Sequence, residues 1–288
     1  MSFRTVVISN RCKLTYKNGY MVVRSDELTM IHLSEIYALV IDTTAVSISS
    51  YLLNELSQLN IAVIVCDNQR NPVSQMLPLY GHHHSSKNIR IQSEWSEENK
   101  QIVWTQIVSN KIYSQAKHLK DLNKPEAELL FSYLENIEIN DSTNREGHSA
   151  KVYFNALFGK DFNRDKDNNI NAALNYGYSI LLSLFNKEII ASGYITQIGI
   201  KHKNEYNSYN LSCDMMEPFR VLIDRFVVSE YPFIFNQEFK YDILSVFNKQ
   251  YSFLGGKYYL SSIIGIYIKQ VLSAIETGEF ENIQFIDI

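Results

Sequence analysis

The chain has 288 residues, of which 45% are hydrophobic and 12% aromatic, including 19 Tyr and 15 Phe. This apolar content excludes an extended disordered protein, and the length is sufficient for two well-packed domains. The net charge of −4 neither predicts nor excludes a nucleic-acid partner, because a local groove can be basic on an acidic protein.

The compartment is predicted from what the sequence lacks. Residues 1–10 have no basic segment followed by a long apolar core, so they predict a strand and not a signal peptide. The longest apolar region, residues 178–200, is interrupted by the polar residues 186–188, which disfavours a membrane span. The 3 cysteines lack CxxC spacing, which disfavours a disulfide framework and a zinc-thiolate site. We therefore expect a cytoplasmic protein without a membrane partner.

Residues 1–80 predict a small, mostly β domain. Short β-branched runs between turn signals predict strands at residues 4–9, 13–16, 20–24, 36–42 and 61–67. Asn18-Gly19 lies between the second and third strands, and both residues tolerate positive φ, so a tight hairpin is predicted there. Ser49-Ser50 before Tyr51 predicts one capped helix inserted ahead of the last strand.

Residues 81–92 are predicted to form a linker, because proline and glycine interrupt the strand pattern ahead of them. This segment contains His82, His83 and His84. Adjacent histidines do not converge on one ion from a regular element, so a polar connector is the favoured interpretation. Their role stays open.

Residues 93–288 predict a larger all-α domain, which makes the fold class α+β. The apolar stripe of a long helix begins near Glu94, and Pro125-Glu126 is a favourable start for another helix. Further helices are predicted at about 144–158, 170–199, 218–230, 237–248 and 261–277. Residues 161–169 are rich in Asp and Asn and predict a loop with Asn caps.

The segment Asn144-Arg145-Glu146-Gly147-His148 opens one of these predicted helices. If Asn144 caps the helix, Glu146 lies in the first turn, where a carboxylate interacts favourably with the helix dipole without any ligand. His148 follows two residues later and points to another side of the helix, so it is a poor co-ligand. A metal site at Glu146 therefore needs ligands from elsewhere.

His202, Asp214 and Glu217 are the candidate partners, and each has a simpler interpretation. His202 lies in a polar loop, where a solvated side chain is the common case. Asp214 and Glu217 can share a helical face, but their spacing is also that of a capping box. Pro218 leaves two alternatives open, because either Glu217 caps a helix that begins at Pro218 or Asp214 caps a kinked helix.

Four sequence blocks follow one another along the second part of the chain: Ser142 to Phe154, Asn171 to Tyr178, His202, and Asp214 to Arg220. Together they resemble the CRISPR adaptation integrases, the Cas-one family, and the β-first, α-second organisation agrees along essentially the whole chain. The compact length and the segment Phe158 to Phe162 are most similar to the type II branch, which accompanies single-protein, RNA-guided effector nucleases.

The resemblance implies that Glu146, His202 and Glu217 are catalytic residues and ligands of Mg²⁺ or Mn²⁺. Many family members carry Asp in place of Glu217, and the longer side chain retains the oxygen ligand. The resemblance also places Asp214 at the accessory acidic position of the family, where it would orient a ligand or a metal-bound water.

The implied reaction is the transfer of short DNA fragments, or spacers, into a CRISPR array by attack of a 3′-hydroxyl on a phosphodiester at a repeat boundary. The implied partners are double-stranded DNA, a second copy of the chain, and the small Cas-two protein in a heterohexamer of two dimers flanking one partner dimer. Other adaptation proteins and the effector nuclease of a type II system are further expected partners in the prokaryotic cytoplasm. Candidate phosphate contacts are cationic residues close in sequence to the ligands, namely Arg145, Lys151, Lys201, Lys203 and Arg220.

Two other functions are compatible with the same residues. A metal-dependent DNA endonuclease would use water in place of the 3′-hydroxyl. A non-catalytic DNA-bridging scaffold would use its acidic residues as helix caps and ion-pair partners. These alternatives differ in whether DNA ends are joined and in whether Glu146 and His202 are needed.

Overall fold

The computed structural model describes residues 3–78, 81–231 and 233–288. Its N-terminal part contains two four-stranded sheets. Their strands are β1 (Arg4–Ile8), β2 (Cys12–Lys17), β3 (Tyr20–Arg24), β4 (Leu28–His32), β5 (Ile36–Ile41), β6 (Val46–Ile48), β7 (Ala62–Cys66) and β8 (Pro72–Met76). Helix α1 (Ser50–Gln58) begins after Ser49, whose side chain accepts a hydrogen bond from the backbone N–H of Leu52. The predicted cap is confirmed.

The two sheets differ in how their strands are paired. One has the order β1-β5-β7-β8, in which β1, β5 and β7 are parallel and β8 is antiparallel. All six residues of β5 are buried, which is typical of a parallel strand covered on both faces. The other sheet has the order β4-β3-β2-β6. Its β2–β3 hairpin turns at Asn18 and Gly19, with φ of 49° and 83°, so the predicted turn is confirmed.

All five predicted strands are present, but β4, β6 and β8 were not predicted. Each lies at a sheet edge. Edge strands bury less surface and carry a weaker apolar signal. Strand β8 also begins with a proline, a residue found in sheets mainly at edge strands and strand starts.

The rest of the chain is mostly helical, so the predicted α+β fold class is confirmed. The helices are α2 (Ser85–Ser93), α3 (Glu97–Asp121), α4 (Glu126–Glu135), α5 (Arg145–Phe158), α6 (Asn169–Ala191), α7 (Asn210–Met215), α8 (Arg220–Ser229), α9 (Gln237–Leu244) and α10 (Leu260–Thr277). Helix α6 is shorter than predicted because Gly193, with φ of 88°, follows its end.

Two features of this part of the chain were not predicted. The segment predicted as a linker contains α2, whose Gln92 amide donates to the carbonyls of Ile195 and Ile198 at 2.8 and 2.9 Å. The predicted all-α region also contains a hairpin, β9 (Gln250–Phe253) and β10 (Gly256–Tyr259). This hairpin is possible because Leu254 and Gly255 both take positive φ, and a leucine gives no sequence signal for that conformation.

Helix α3 positions the candidate site, because it packs against α4, α5, α8 and the 3₁₀ turn Glu217–Phe219. Its core-facing stripe includes Trp104, Ile107 and Ile112, each at most 2% exposed. Elements that are distant in sequence therefore meet along one helix. Among the helices of the described residues, none is long and apolar enough to cross a membrane.

Candidate metal and active site

Glu146 lies in the first turn of α5, as predicted, but the side chain of Asn144 does not cap the helix. Asn144 has left-handed backbone angles, φ 53° and ψ 43°, and its side chain makes no capping hydrogen bond. The carboxylate of Asp141 instead accepts hydrogen bonds from the backbone N–H groups of Arg145 at 2.7 Å and Glu146 at 3.0 Å. This arrangement fixes the helix start, and the Glu146 side chain reaches across to α3.

Glu217 is the first residue of the 3₁₀ turn that separates α7 from α8. Neither predicted capping arrangement is present, because Met216 occupies the cap position and Asp214 lies within α7. Glu217 instead forms an ion pair, with Arg220 Nη2 at 3.0 Å from Glu217 Oε1. Glu217 is only 5% exposed, so its charge needs close compensation.

A buried lysine joins the two glutamates. Lys111 Nζ, on α3, lies 2.5 Å from Glu146 Oε1 and 2.5 Å from Glu217 Oε2. It donates a hydrogen bond to Glu146 and forms an ion pair with Glu217 at the same distance. Burial alone would lower the pKa of Lys111, but Glu217 and Glu146 outweigh it and raise that pKa. Burial alone would raise the pKa of Glu217, but Arg220 and Lys111 outweigh it and lower that pKa.

His202 is held by Asp214 in the segment that follows α6. Asp214 is fully buried, and its Oδ2 accepts hydrogen bonds from the backbone N–H groups of Ile200 at 2.7 Å and Lys201 at 2.9 Å. Its Oδ1 accepts a hydrogen bond from Nδ1–H of His202. This bond raises the pKa of His202. Because Nδ1 is engaged, Nε2 is the ring nitrogen left for a ligand.

The structure brings two of the three predicted ligands onto one cation and places the third nearby. Glu146 and Glu217 share Lys111, and both also contribute to the raised pKa of His202. Within the described ranges, no three His, Cys, Asp or Glu side chains converge closely enough to hold an ion. The Lys111 ammonium between the two carboxylates nevertheless occupies a position that suits a hard divalent ion, whose preferred ligands are oxygens.

The two glutamates line a cavity of 190 Å³. Its polar lining also includes Lys111, Gln115, Arg164, Tyr178, Arg220 and Asp224. His202 lines a separate cavity of 420 Å³ together with Lys203. Lys111, Arg164 and Arg220 therefore line the same cavity as the two carboxylates. The imidazole of His202 lines the other cavity.

The predicted phosphate contacts are distributed unevenly around these cavities. Arg220 lines the cavity of the two glutamates, and Lys203 lines that of His202. Lys201 Nζ donates to the backbone and side-chain oxygens of Asn140 at 3.0 Å, so it is engaged locally.

Two further predicted contacts lie on α5. Arg145 stacks on the ring of Tyr133 at 5.0 Å. Lys151 is exposed and lines a third cavity, of 570 Å³, next to Lys160 and Lys166. Neither side chain lines the cavity of the two glutamates.

The sequence interpretation missed two cations at the site. Arg164 lies in the segment predicted as a capped loop, and it donates to the side-chain oxygens of Asn171 and Asn175 at 2.6 Å each. Those asparagines, four residues apart on one helical face, were the available signal. Lys111 follows the buried residues Ile107 and Val108 by four and three positions, but a lysine there gives no sign of the two carboxylates that pack on it.

This chain is similar in sequence to known proteins. A family model described as CRISPR associated protein Cas1 matches residues 5–232. A relative from Neisseria meningitidis serogroup C (strain 8013), named CRISPR-associated endonuclease Cas1, is 32% identical over 233 residues, which cover 80% of this chain and 77% of the relative.

Solved structures share the fold. A casposase bound to integration product has a TM-score of 0.74 at 18% identity, covering 97% of this chain and 92% of that chain. A chain of a Cas6-RT-Cas1–Cas2 complex has a TM-score of 0.74 at 19% identity. That match covers 98% of this chain but 36% of the other, so this chain corresponds to about a third of the larger one.

Proposed function

Because this chain belongs to the CRISPR-associated Cas1 family, we propose that it is a metal-dependent DNA integrase of CRISPR adaptation. It joins the 3′-hydroxyl ends of short double-stranded DNA fragments into the CRISPR array by transesterification. The observation that carries this proposal is the meeting of Glu146 and Glu217 around one buried cation. Two carboxylates brought together in this way form an anionic centre that suits phosphodiester chemistry with Mg²⁺ or Mn²⁺.

Each residue has a distinct task in this proposal. Glu146, Glu217 and Nε2 of His202 hold the divalent ion, and Asp214 fixes the His202 tautomer. A bound Mg²⁺ or Mn²⁺ supplies activation of the attacking hydroxyl and neutralisation of the phosphate oxygens. Arg220 positions a phosphate, because it lines the cavity of the two glutamates and a guanidinium donates two parallel hydrogen bonds to a phosphate.

The proposed partners follow from the family. The protein acts in the prokaryotic cytoplasm on spacer fragments and on the CRISPR repeat, as a homodimer that assembles with the small Cas2 protein. The proposed assembly is a heterohexamer in which two dimers of this chain flank one Cas2 dimer. The Cas1–Cas2 complex among the structures with this fold supports the pairing. The type II branch, with its effector nuclease as a further partner, is part of the same proposal.

An assay that distinguishes the joining of DNA ends from DNA cleavage tests the proposed reaction. The protein, its Cas2 partner and Mn²⁺ are incubated with a fluorescent duplex fragment and a plasmid that carries the repeat. Labelled fragment joined to the plasmid is the expected product. A fragment with 3′-dideoxy ends is the matched substrate control, because it lacks the attacking oxygen and must not be joined. Plasmid cleavage without joining, unaffected by the 3′ end, would instead support the endonuclease alternative.

A pair of variants tests the site in the same assay. Glu146→Gln removes one carboxylate charge from the site at nearly constant volume and should reduce joining by at least about 100-fold, the usual scale for loss of a group that stabilises a transition state. Glu128→Gln is the matched control, because Glu128 is an exposed residue of α4. Equal joining by wild type and Glu146→Gln would support the non-catalytic scaffold.

A further inference from the structure

Lys111 is a buried lysine in the candidate metal site, and the proposed reaction gives it no task. Its side chain is 8% exposed, and its ammonium lies 2.5 Å from one oxygen of Glu146 and 2.5 Å from one oxygen of Glu217. An ion held by the same two carboxylates would compete with the ammonium for these oxygens, because Mg²⁺ binds oxygen at about 2.0–2.1 Å.

The charges around Lys111 are balanced without any metal. Glu146 and Glu217 contribute two negative charges, and Lys111 and Arg220 contribute two positive ones in direct contact with them. A divalent ion added to this cluster would leave an excess of positive charge in a buried place, where repulsion is weakly screened. Binding of the ion therefore favours movement of one of the two cations.

Gln115 offers the ammonium of Lys111 a second position. It lies one turn further along α3 and lines the same cavity as Lys111 and both glutamates. Its Oε1 is buried and receives no hydrogen bond from any described residue. Residues four apart on a helix are neighbours, and the flexible lysine stem lets its ammonium reach an acceptor at that spacing.

We infer that Lys111 is a displaceable internal cation, which neutralises Glu146 and Glu217 in the metal-free protein and moves to Gln115 Oε1 when a divalent ion binds. The inference rests on the proposed metal-dependent function. Lys111 is then a positioning residue that keeps the two carboxylates together before the metal arrives. The same lysine lowers the apparent metal affinity, because the ion must displace it.

Titration of the protein with Mn²⁺ alone, followed by electron paramagnetic resonance, tests the competition. Lys111→Met removes the charge and retains an unbranched side chain. This variant should bind Mn²⁺ at least about tenfold more tightly than wild type, equivalent to about 1.4 kcal/mol. It should also have a lower metal-free Tm and a larger Tm increase on addition of Mn²⁺. Unchanged or weaker Mn²⁺ binding by folded Lys111→Met, with binding by wild type intact, overturns the inference and leaves the proposed function standing.

Lys187→Met is the matched control for the loss of a buried lysine. Lys187 pairs with Glu188 at 2.7 Å and stacks on Tyr37 at 3.5 Å, outside the cavity of the two glutamates. The Mn²⁺ affinity of the Lys187→Met variant should equal that of wild type. An equal increase of Mn²⁺ affinity in Lys187→Met and Lys111→Met would overturn the proposed competition. Absence of Mn²⁺ binding by both wild type and Lys111→Met would overturn the inference together with the metal dependence of the proposed function.

Gln115→Leu tests the second position. This substitution should weaken Mn²⁺ binding in the wild-type background and have no effect in the Lys111→Met background, because no ammonium then needs an acceptor. An equal effect in both backgrounds overturns the movement to Gln115. If Lys111→Met fails to fold, crystals of the wild-type protein with and without Mn²⁺ give the answer. Lys111 Nζ remaining within about 3 Å of both carboxylates beside bound Mn²⁺ overturns the inference.

Discussion

The bond between Asp214 and His202 predicts a specific defect for Asp214→Asn. The Oδ2 atom of Asp214 accepts short backbone hydrogen bonds from Ile200 and Lys201 and a longer one, at 3.3 Å, from His202, so the amide oxygen of an asparagine would take that side. The amide nitrogen would then face Nδ1 of His202 and donate to it. The imidazole proton must therefore move to Nε2, which removes the nitrogen that we propose as a ligand.

The magnitudes follow from these contacts. A hydrogen bond to a charged group contributes about 1.5–3 kcal/mol and a neutral one about 1 kcal/mol, so two weakened bonds lower the free energy of unfolding by about 1–4 kcal/mol. Loss of the group that orients a metal-binding histidine typically lowers metal affinity or activity about 10–100-fold. We therefore expect a folded protein whose strand transfer at limiting Mn²⁺ is reduced about 100-fold.

A double-mutant cycle separates this effect from a general loss of structure. Strand transfer and urea unfolding are measured for Asp214→Asn, His202→Ala and the double variant. Because Asp214 acts through His202, the double variant should be no slower than His202→Ala, although it should be less stable. Fully additive losses of rate, or an unchanged Mn²⁺ affinity in Asp214→Asn, would refute the reasoning.

Two further predictions concern a glycine and a buried histidine. Gly199→Ala should slow strand transfer at least about tenfold, because its Cβ would lie 2.5 Å from the backbone oxygen of His202. Gly147→Ala is the control, because a Cβ there would meet only the side chain of Asn144. Equal rates of Gly199→Ala and Gly147→Ala in the strand-transfer assay would contradict this. Burial, reinforced by Arg225, lowers the pKa of His118 to about 4. As the pH falls, the unfolded chain therefore protonates this histidine before the folded chain does, and the free energy of unfolding decreases from about pH 6.5 to pH 4. Wild type should lose about 2 kcal/mol more stability than His118→Asn between pH 7 and pH 5 in urea unfolding, and equal losses would count against it.

The fold was predictable wherever one local signal dominates. The buried run of β5, the Asn18-Gly19 turn and the Ser49 cap all follow from the residues themselves. The β9–β10 hairpin did not, because Leu254 takes positive φ only in the folded chain. Helix α2 was missed because its docking depends on carbonyls about a hundred residues further on, to which Gln92 donates.

The residues of the candidate site could be predicted only in part. Glu146, His202 and Glu217 are proposed as ligands from the family blocks, since spacing alone favoured a first-turn carboxylate, a solvated histidine and a helix cap. Lys111 could not be identified in this way. Its environment exists only after α5 and the turn at Glu217 pack on α3, so a residue that is polar in the sequence becomes the centre of a buried charge cluster.

The acidic residues of the site differ in the type of hydrogen-bond donor that contacts them. Asp141 and Asp214 accept backbone N–H groups, which occupy their oxygens and keep them within the scaffold. Glu146 and Glu217 are held instead by the ammonium of Lys111, and Glu217 also by the guanidinium of Arg220. A carboxylate saturated by backbone donors is a poor ligand, whereas one held by an ion pair can exchange one cation for another. The type of hydrogen-bond or ion-pair partner, more than sequence position, therefore distinguishes the acidic residues that shape this site from those that we propose as metal ligands.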